Sequence, residues 1–319
     1  MPFITRFISS QLRTLPPVPD TSLEGKVYIT TGGNSEKIGI GLEVAKHLIQ
    51  RGASKVILAV RNIQSGEKAK HDILHHVKAG CKSEVEVWKV DMNSFESVKT
   101  FAEKCEGLDR LDGVALNAGI LAPDKLEKTP DGHEATIQVN VLSPTYLALL
   151  LAPILEKSAS VTGQKGKIVF TGSAVAEVAT TKGLDIERPL KALDNENVYV
   201  VGDRYNQSKL VLHSMVRKII ARFPDIVVTD VNPGFVHTQL YRGGGPAAAM
   251  AKRIGRKSEE GARNVTFALI TLDHSTDWYH DCKPSKLYAP WLVSGDGRTF
   301  GNNLWNDSLQ EYRRFSNRL

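Results

Sequence analysis

Residues 26–41 read KVYITTGGNSEKIGIG, and this stretch decides the fold. It begins with the apolar pattern of a short buried strand, continues through a glycine-rich turn and runs straight into a helix pattern at 39–51. Glycines in such a turn let the backbone approach a pyrophosphate and let the helix pack on the strand, while the helix N-terminus offers free N–H groups. The stretch therefore indicates a dinucleotide-binding unit, although a glycine-rich turn after a strand can also be purely structural.

Outside this stretch, short runs rich in Val, Ile and Leu alternate with longer amphipathic segments. Strands are predicted at 26–31, 56–60, 85–89, 111–116, 167–171 and 226–231, and helices at 39–51, 64–79, 94–105, 132–157 and 204–223. Such alternation is typical of an α/β fold in which helices cover both faces of a parallel sheet. No linker divides the chain, so we expect one Rossmann-type, doubly wound domain at 23–319 after an N-terminal extension at 1–22.

The C-terminal part is predicted to elaborate the substrate side of that domain. A helix is expected at 257–273 and one further strand at 286–294, whereas the run GGGPAAA at 243–249 is expected to be a mobile loop. We predict a lid over the substrate at about 235–257, with apolar surface from Leu240, Tyr241 and Met250.

Composition excludes several classes of protein. The 319 residues are 41% hydrophobic and 24% charged, which is typical of a water-soluble globular protein. The net charge of +6 is spread along the chain without a basic aromatic stripe, so no nucleic-acid partner is expected. The longest apolar stretch, 146–155, is about half of the ~20 residues that a membrane-spanning helix needs, so no integral membrane segment is expected. The three cysteines lack the spacing of a metal site or of a disulfide framework. We therefore expect no metal site and a cytoplasmic location.

The N-terminal extension carries apolar residues at helical spacing, namely Phe3, Ile4, Phe7, Ile8 and Leu12. The favoured interpretation is a short helix packed on the body of the protein and ended by Pro16 and Pro17. The alternative is a helix that lies on a membrane surface.

The residue after the second strand bears on the choice of coenzyme. An NAD-binding fold usually has an Asp there that holds the ribose 2′-hydroxyl, whereas this chain has Arg61. A guanidinium pairs well with a 2′-phosphate, which favours NADP(H) over NAD(H); the alternative is a solvated arginine at a strand end. Lys37 could add a second charge in the turn or point to water.

Tyr205 and Lys209 are four residues apart on one face of a predicted helix. An ammonium one turn away favours a phenolate, so we expect Lys209 to lower the pKa of Tyr205. Ser173, at the end of the fifth strand, is placed to hydrogen-bond a substrate carbonyl oxygen. A Tyr and a Lys at this spacing are common on helices and do not by themselves indicate a catalytic site. Here they follow the glycine-rich turn and the strand-end Ser along the chain, and this combination indicates a site for proton transfer.

With Asn117-Ala118-Gly119 after the fourth strand, these motifs resemble the short-chain dehydrogenase/reductase family over about residues 23–236. The closest likeness within it is to the retinol-dehydrogenase-type branch and related fungal oxidoreductases. The resemblance implies acid–base roles for Ser173, Tyr205 and Lys209, with Asn140 supporting the lysine through a water. It also implies coenzyme contacts by Gly32, Gly33, Lys37, Ile38, Gly39, Gly41, Arg61, Asp91, Asn117, Ala118, Gly119, Tyr205, Lys209, Pro233, Gly234, Val236 and Thr238.

The glycine-rich turn is three residues longer than the family's usual pattern, so the conformation of 34–38 cannot be transferred. The resemblance implies an NADPH-dependent reductase that transfers hydride to the ketone or aldehyde of a lipophilic small molecule, such as a biosynthetic intermediate. Two alternatives stay open: NADP-dependent oxidation of a retinol-like or steroid-like alcohol, and a non-catalytic NADP(H) sensor. A homo-oligomer paired through the helix at 132–157 is plausible by the same resemblance, unless the C-terminal tail caps that helix.

Overall fold

Strand β1 (Val27–Thr31), which precedes the glycine-rich turn, is an inner strand of one sheet. The computed structural model describes residues 3–33, 38–75, 83–241 and 243–319, and within them eight strands pair in the order β3-β2-β1-β4-β5-β6-β7-β8. The others are β2 (Lys55–Val60), β3 (Glu84–Lys89), β4 (Gly113–Leu116), β5 (Lys167–Thr171), β6 (Val227–Asn232), β7 (Thr276–His280) and β8 (Lys283–Pro284). All pairs are parallel except β7 with β8. The six predicted strands and the doubly wound sheet are confirmed.

Helices cover both faces of this sheet, because alternate residues of each strand point to opposite sides. In chain order they are α1 (Phe3–Gln11), α2 (Ile40–Gln50), α3 (Ile63–His75), α4 (Phe95–Cys105), α5 (Ala135–Ile137), α6 (Ser143–Thr162), α7 (Pro189–Leu193), α8 (Arg204–Arg222), α9 (Gly245–Ile254), α10 (Ser258–Thr271), α11 (Pro290–Val293) and α12 (Gly295–Arg313). One core packs α2, α3 and α10 on the sheet, and the other packs α4, α6, α8 and α12 on its opposite face.

The segment Ala135–Thr162 is the one helix in the described ranges that is long and apolar enough to cross a membrane. It comprises α5, a π-helical turn (Gln138–Leu142) and α6. In its most apolar window 89% of the residues are buried inside the protein, as expected for a core helix.

Two C-terminal expectations are wrong. Residues 245–249 are not a loop but the start of α9, since Pro246 occupies the first helical turn, where its missing N–H needs no partner, and alanines follow. The predicted strand at 286–294 does not form: residues 290–293 are the short helix α11, and the last strands in the described residues are β7 and β8.

Helix α12 covers the long helix α6. The ring of Tyr312 stacks on that of Tyr146 with 4.8 Å between centroids, and the Tyr312 hydroxyl donates to the Leu142 carbonyl at 2.8 Å. Both tyrosines are buried. The C-terminal tail therefore caps the helix through which pairing was considered plausible.

Candidate active site

The carboxyl ends of the central strands open on one cavity of about 1080 Å³. Ligands of open α/β sheets bind at this edge, where backbone groups at the strand ends have no ladder partners. Residues from β1, β2, β4, β5 and β6, or directly after them, line the cavity.

The glycine-rich turn can lie close to the neighbouring strand end because two of its residues lack side chains. Gly32 has a positive φ of +72°, and a Cβ there would lie 3.0 Å from the Ala118 Cα. A Cβ on Gly41 would lie 2.8 Å from the Asn117 side chain. The Thr31 hydroxyl accepts hydrogen bonds from the backbone N–H groups of Asn117 and Ala118, both at 2.9 Å. The ends of β1 and β4 are thus held together at the cavity.

Most of the residues expected to contact the coenzyme line this cavity: Gly32, Gly39, Arg61, Asp91, Asn117, Ala118, Gly119, Tyr205, Lys209, Pro233, Gly234, Val236 and Thr238. Gly33 and Gly41 do not line it; a Cβ on Gly33 would lie 3.2 Å from the Leu58 side chain, so both glycines serve packing beneath the turn. The Ile38 carbonyl accepts a hydrogen bond from the Gln239 N–H at 3.3 Å. Lys37 lies outside the described residues.

The groove fits an adenine dinucleotide. A side chain at Gly32 would fill the cradle beside Ala118, and Arg61, directly after β2, is exposed and lines the cavity. The Asp91 carboxylate accepts hydrogen bonds from the backbone and side-chain N–H groups of Asn93, at 3.0 and 2.9 Å, which fix it at the end of β3.

Tyr205 and Lys209, which are one turn apart on α8, also line the cavity. The Lys209 ammonium donates to the Thr171 carbonyl at 2.8 Å and lies 5.6 Å from the centroid of the Tyr205 ring. Lys209 is 5% exposed, and burial lowers its pKa to about 8 despite the opposing effect of the Asp230 charge.

The expected lowering of the Tyr205 pKa is wrong for this arrangement. Burial raises the pKa of Tyr205, and the neighbouring Tyr241 acts in the same direction. The ammonium of Lys209 is engaged by the Thr171 carbonyl rather than by the phenol. The Tyr205 hydroxyl is therefore protonated at neutral pH, which is the form that donates a proton.

Ser173 and Asn140 flank this pair in different ways. Ser173 follows β5, lines the cavity and accepts a weak hydrogen bond from the Val175 N–H at 3.4 Å. Asn140 sits in the π-helical turn, a feature frequent at functional sites. Its amide donates to the Ile120 carbonyl and the Ser208 hydroxyl, both at 3.0 Å, and accepts from the Ile120 N–H at 2.9 Å. Asn140 thus ties its helix to the residue before Lys209.

A buried acid lies behind the lysine, and sequence reasoning missed it. The Asp230 carboxylate is fully buried, and one oxygen lies 2.9 Å from the Nδ1 of His213 while the other has no partner among the described residues. Gly172 makes room for it, because a Cβ there would lie 2.0 Å from that carboxylate. The pairing of β6 with β7 is irregular at this point. Asp230 stands inside a strand rich in valine, which predicts that it is buried, and a buried acid requires a partner. This pattern is the signal that could have revealed the pair.

The part of the cavity formed by α1 and the predicted lid is aromatic. Phe3 and Phe7 of α1 line it, and the Phe7 ring lies 6.2 Å from that of Phe235, which in turn meets Tyr241 edge-on at 5.7 Å. Leu240 and Tyr241 line the cavity as expected. Met250 does not, since it is exposed on α9. Sequence reasoning had assigned no part of α1 to the site.

Helix α1 is held on the loop after β6 by a pair of hydrogen bonds. The Gln11 amide donates to the Phe235 carbonyl at 2.8 Å and accepts from the Phe235 N–H at 3.1 Å. The buried Arg256 donates to the Ser10 carbonyl at 2.5 Å and to the Pro233 carbonyl at 3.4 Å. These contacts fix α1 beside residues that were expected to meet the nicotinamide.

Comparison with known proteins agrees with this geometry. A family model described as short chain dehydrogenase matches residues 26–183. A short chain dehydrogenase/reductase of Annulohypoxylon moriforme is 32% identical over 327 residues, which cover 97% of this chain and 92% of the relative. A short chain dehydrogenase of Alternaria solani is 36% identical over 269 residues, covering 82% and 91%.

Among solved structures, the NADPH-dependent 3-quinuclidinone reductase of Rhodotorula rubra superposes with a TM-score of 0.60 at 20% identity. The match covers 88% of this chain and 98% of that protein, and at this identity it supports the fold. With the two fungal relatives, it leads to the conclusion that this chain belongs to the short-chain dehydrogenase/reductase family, oxidoreductases that act on a CH–OH/C=O pair with a nicotinamide coenzyme.

Proposed function

We propose that the chain is an NADPH-dependent reductase for the ketone or aldehyde group of a lipophilic small molecule. The observation that carries this proposal is that the half-buried Tyr205 lines one cavity together with Ser173 and Lys209. A general acid for carbonyl reduction must hold its proton at the working pH, and a phenol does so at neutral pH.

The coenzyme assignment rests on Arg61. Arg61 is exposed and lines the cavity directly after β2, and no carboxylate stands at that position. A guanidinium favours a 2′-phosphate over a free 2′-hydroxyl, since it can donate two parallel hydrogen bonds to phosphate oxygens. The Rhodotorula reductase with the same fold is named as NADPH-dependent, which supports this choice.

When bound, the reduced nicotinamide supplies a hydride to the carbonyl carbon. The hydroxyls of Ser173 and Tyr205 donate hydrogen bonds to the carbonyl oxygen and stabilise the negative charge that develops on it. Tyr205 then gives its proton to that oxygen, so that C=O becomes CH–OH. The Lys209 ammonium, held by the Thr171 carbonyl, lines the same cavity and is placed to contact the coenzyme. Asn140 holds the Ile120 carbonyl and the hydroxyl of Ser208, the residue before Lys209.

The aromatic walls support a lipophilic and ring-containing substrate. Phe3, Phe7, Phe235 and Tyr241 form a nearly continuous set of rings on the substrate side. Such rings bind flat apolar groups by stacking and edge contacts. The proposal includes a cytoplasmic location, where NADPH is available, and a fluorescent fusion of the full chain tests it.

The test is a panel of carbonyl compounds, from small aliphatic aldehydes to multi-ring ketones, offered with NADPH and with NADH. Loss of reduced-nicotinamide absorbance should be fastest for a ring-containing ketone with NADPH. Turnover only of retinol-like or steroid-like alcohols with NADP⁺ would replace the proposal by its oxidative alternative. Tight NADPH binding without turnover of any compound in either direction would favour the sensor.

A further inference from the structure

The outward face of α1 is apolar, although its inward face already lines the cavity. Phe3 and Phe7 point inward, whereas Ile4, Ile8 and Leu12 follow one another at intervals of four on the outside. Ile4 is 68% exposed and Leu12 is 80% exposed. A helix that packs only on the protein has no need of this second apolar stripe.

The exposed stripe continues on neighbouring elements. The Gln11 side chain donates to the Ile254 carbonyl at 3.1 Å, so the C-terminal ends of α1 and α9 meet. Met250 and Ile254 of α9 are exposed, and so is Tyr288, whose ring lies 5.0 Å from the Arg6 guanidinium. Twelve large apolar side chains are exposed in the described part of the chain, and six lie on these neighbouring elements: Ile4, Ile8, Leu12, Met250, Ile254 and Tyr288. Such clustering marks an interaction surface.

The charges around these residues have one sign. Residues 1–19 contain two arginines and no Asp or Glu, and 231–258 contain no Asp or Glu either. Lys252, Arg253 and Lys257 are exposed beside the apolar residues of α9, and Arg13 is half-exposed beside those of α1. Two acids reach this region and both are paired: Glu177 with Arg6, and Asp281 with Arg13 and Arg256.

We propose that the α1–α9 face, made of Ile4, Ile8, Leu12, Met250, Ile254 and Tyr288 with Lys252 and Arg253, docks on the surface of an anionic lipid bilayer. An amphipathic helix binds a bilayer by burying its apolar side at the headgroup boundary, and neighbouring cations add attraction to anionic lipids. Tyrosine suits the same depth, because its ring is apolar and its hydroxyl polar.

A bilayer fits this face better than a protein partner does. The cations around this face complement anionic lipid headgroups, and its aliphatic side chains can enter the hydrocarbon below those headgroups. Protein interfaces typically present aromatic anchors in a mixed polar rim. The docking rests on the surface alone, independent of the proposed reduction. If both hold, the aromatic cavity receives its substrate directly from the lipid phase, since α1 borders both.

The experiment is flotation of the full chain with vesicles of phosphatidylcholine, with and without phosphatidylserine. We expect binding to the phosphatidylserine vesicles that weakens as salt is added. Ile4→Ser/Leu12→Ser should reduce that binding at least about tenfold, since both side chains leave the lipid. A matched control, Leu74→Ser/Val161→Ser, changes two exposed apolar residues of α3 and α6 and should bind as the parent does.

A second pair of variants tests the cations. Lys252→Glu/Arg253→Glu should abolish the preference for phosphatidylserine, whereas Lys157→Glu/Lys191→Glu, on α6 and α7, should keep it. The Ile4 and Leu12 side chains do not line the cavity, so NADPH binding by that variant verifies its fold. The proposal is overturned if the parent binds neither vesicle or if both serine variants bind equally. It is likewise overturned if the parent forms dimers that only Ile4→Ser/Leu12→Ser dissociates, because the face then serves a second copy.

Discussion

The two ends of the cavity are built in opposite ways. The coenzyme end comes from successive strand ends within β1 to β4, where Gly32 and Gly41 let neighbouring backbones approach each other. The substrate end joins segments that are far apart in the chain, as when Gln11 binds Phe235, 224 residues away. The comparison teaches that local sequence patterns specify the first end, whereas only the assembled tertiary structure specifies the second.

The largest loss of activity should come from substitution of Tyr205, where the coenzyme end and the substrate end of the cavity meet. Tyr205→Phe removes the proposed proton donor, so kcat for carbonyl reduction should fall by ~10²–10⁴-fold. Fluorescence titration should show unchanged NADPH affinity. Activity close to the parent's would mean that another group, at the substrate end, supplies the proton and that Tyr205 is not the donor.

The coenzyme end is tested by Arg61→Asp. Loss of a charge-assisted pair with the 2′-phosphate, together with the new repulsion, should weaken NADPH binding by about 10- to 100-fold and leave NADH binding nearly unchanged. Arg61→Lys is the matched variant, since it keeps the charge and loses the planar fork. Dissociation constants for both coenzymes measure the effect. An unchanged preference would remove Arg61 from the coenzyme site.

The substrate end is tested by Phe7→Ala. Removing one ring from the aromatic wall should raise KM for a ring-containing ketone by about fivefold, since an aromatic pair contributes about 1 kcal/mol. The NADPH dissociation constant should not change, because Phe7 lies on the substrate side. Thr5→Ala, on the exposed side of the same helix, is the control. If Phe7→Ala instead altered coenzyme affinity, α1 would belong to the coenzyme end.

The smallest expected effect is a shift in pH dependence. Burial lowers the pKa of Lys209 to about 8, and the Asp230 charge opposes that lowering. Asp230→Asn should therefore lower the Lys209 pKa further, so that Lys209 loses its proton, and reduction its rate, at a lower pH than in the parent. The pH profile of kcat measures this positioning role. The exposed Asp225, which precedes β6, gives the control Asp225→Asn; equal profiles for the two variants would contradict the role of Asp230.

Sequence patterns sufficed where the relevant contacts lie within one strand–turn–helix unit. They predicted the six central strands. They also predicted that Ser173, Tyr205 and Lys209 meet, and these residues line one cavity, because strand ends and helix spacing determine their positions. They failed for the pKa of Tyr205, since spacing to Lys209 says nothing about burial of the phenol or about the Thr171 carbonyl.

Contacts between distant segments were likewise beyond sequence reasoning. No local pattern reveals that His213 of α8 is buried against Asp230 of β6 and Trp278 of β7. The position of α1 at the cavity depends on Gln11, Ser10 and Arg256 finding backbone partners that no local pattern reveals.

The stacking of Tyr312 on Tyr146 has a consequence for how the protein works in dilute solution. Helix α12 covers the surface of α6 against which a second subunit could otherwise pack. We therefore expect turnover per polypeptide to stay constant from micromolar stocks down to assay concentrations, with light scattering reporting one chain per particle.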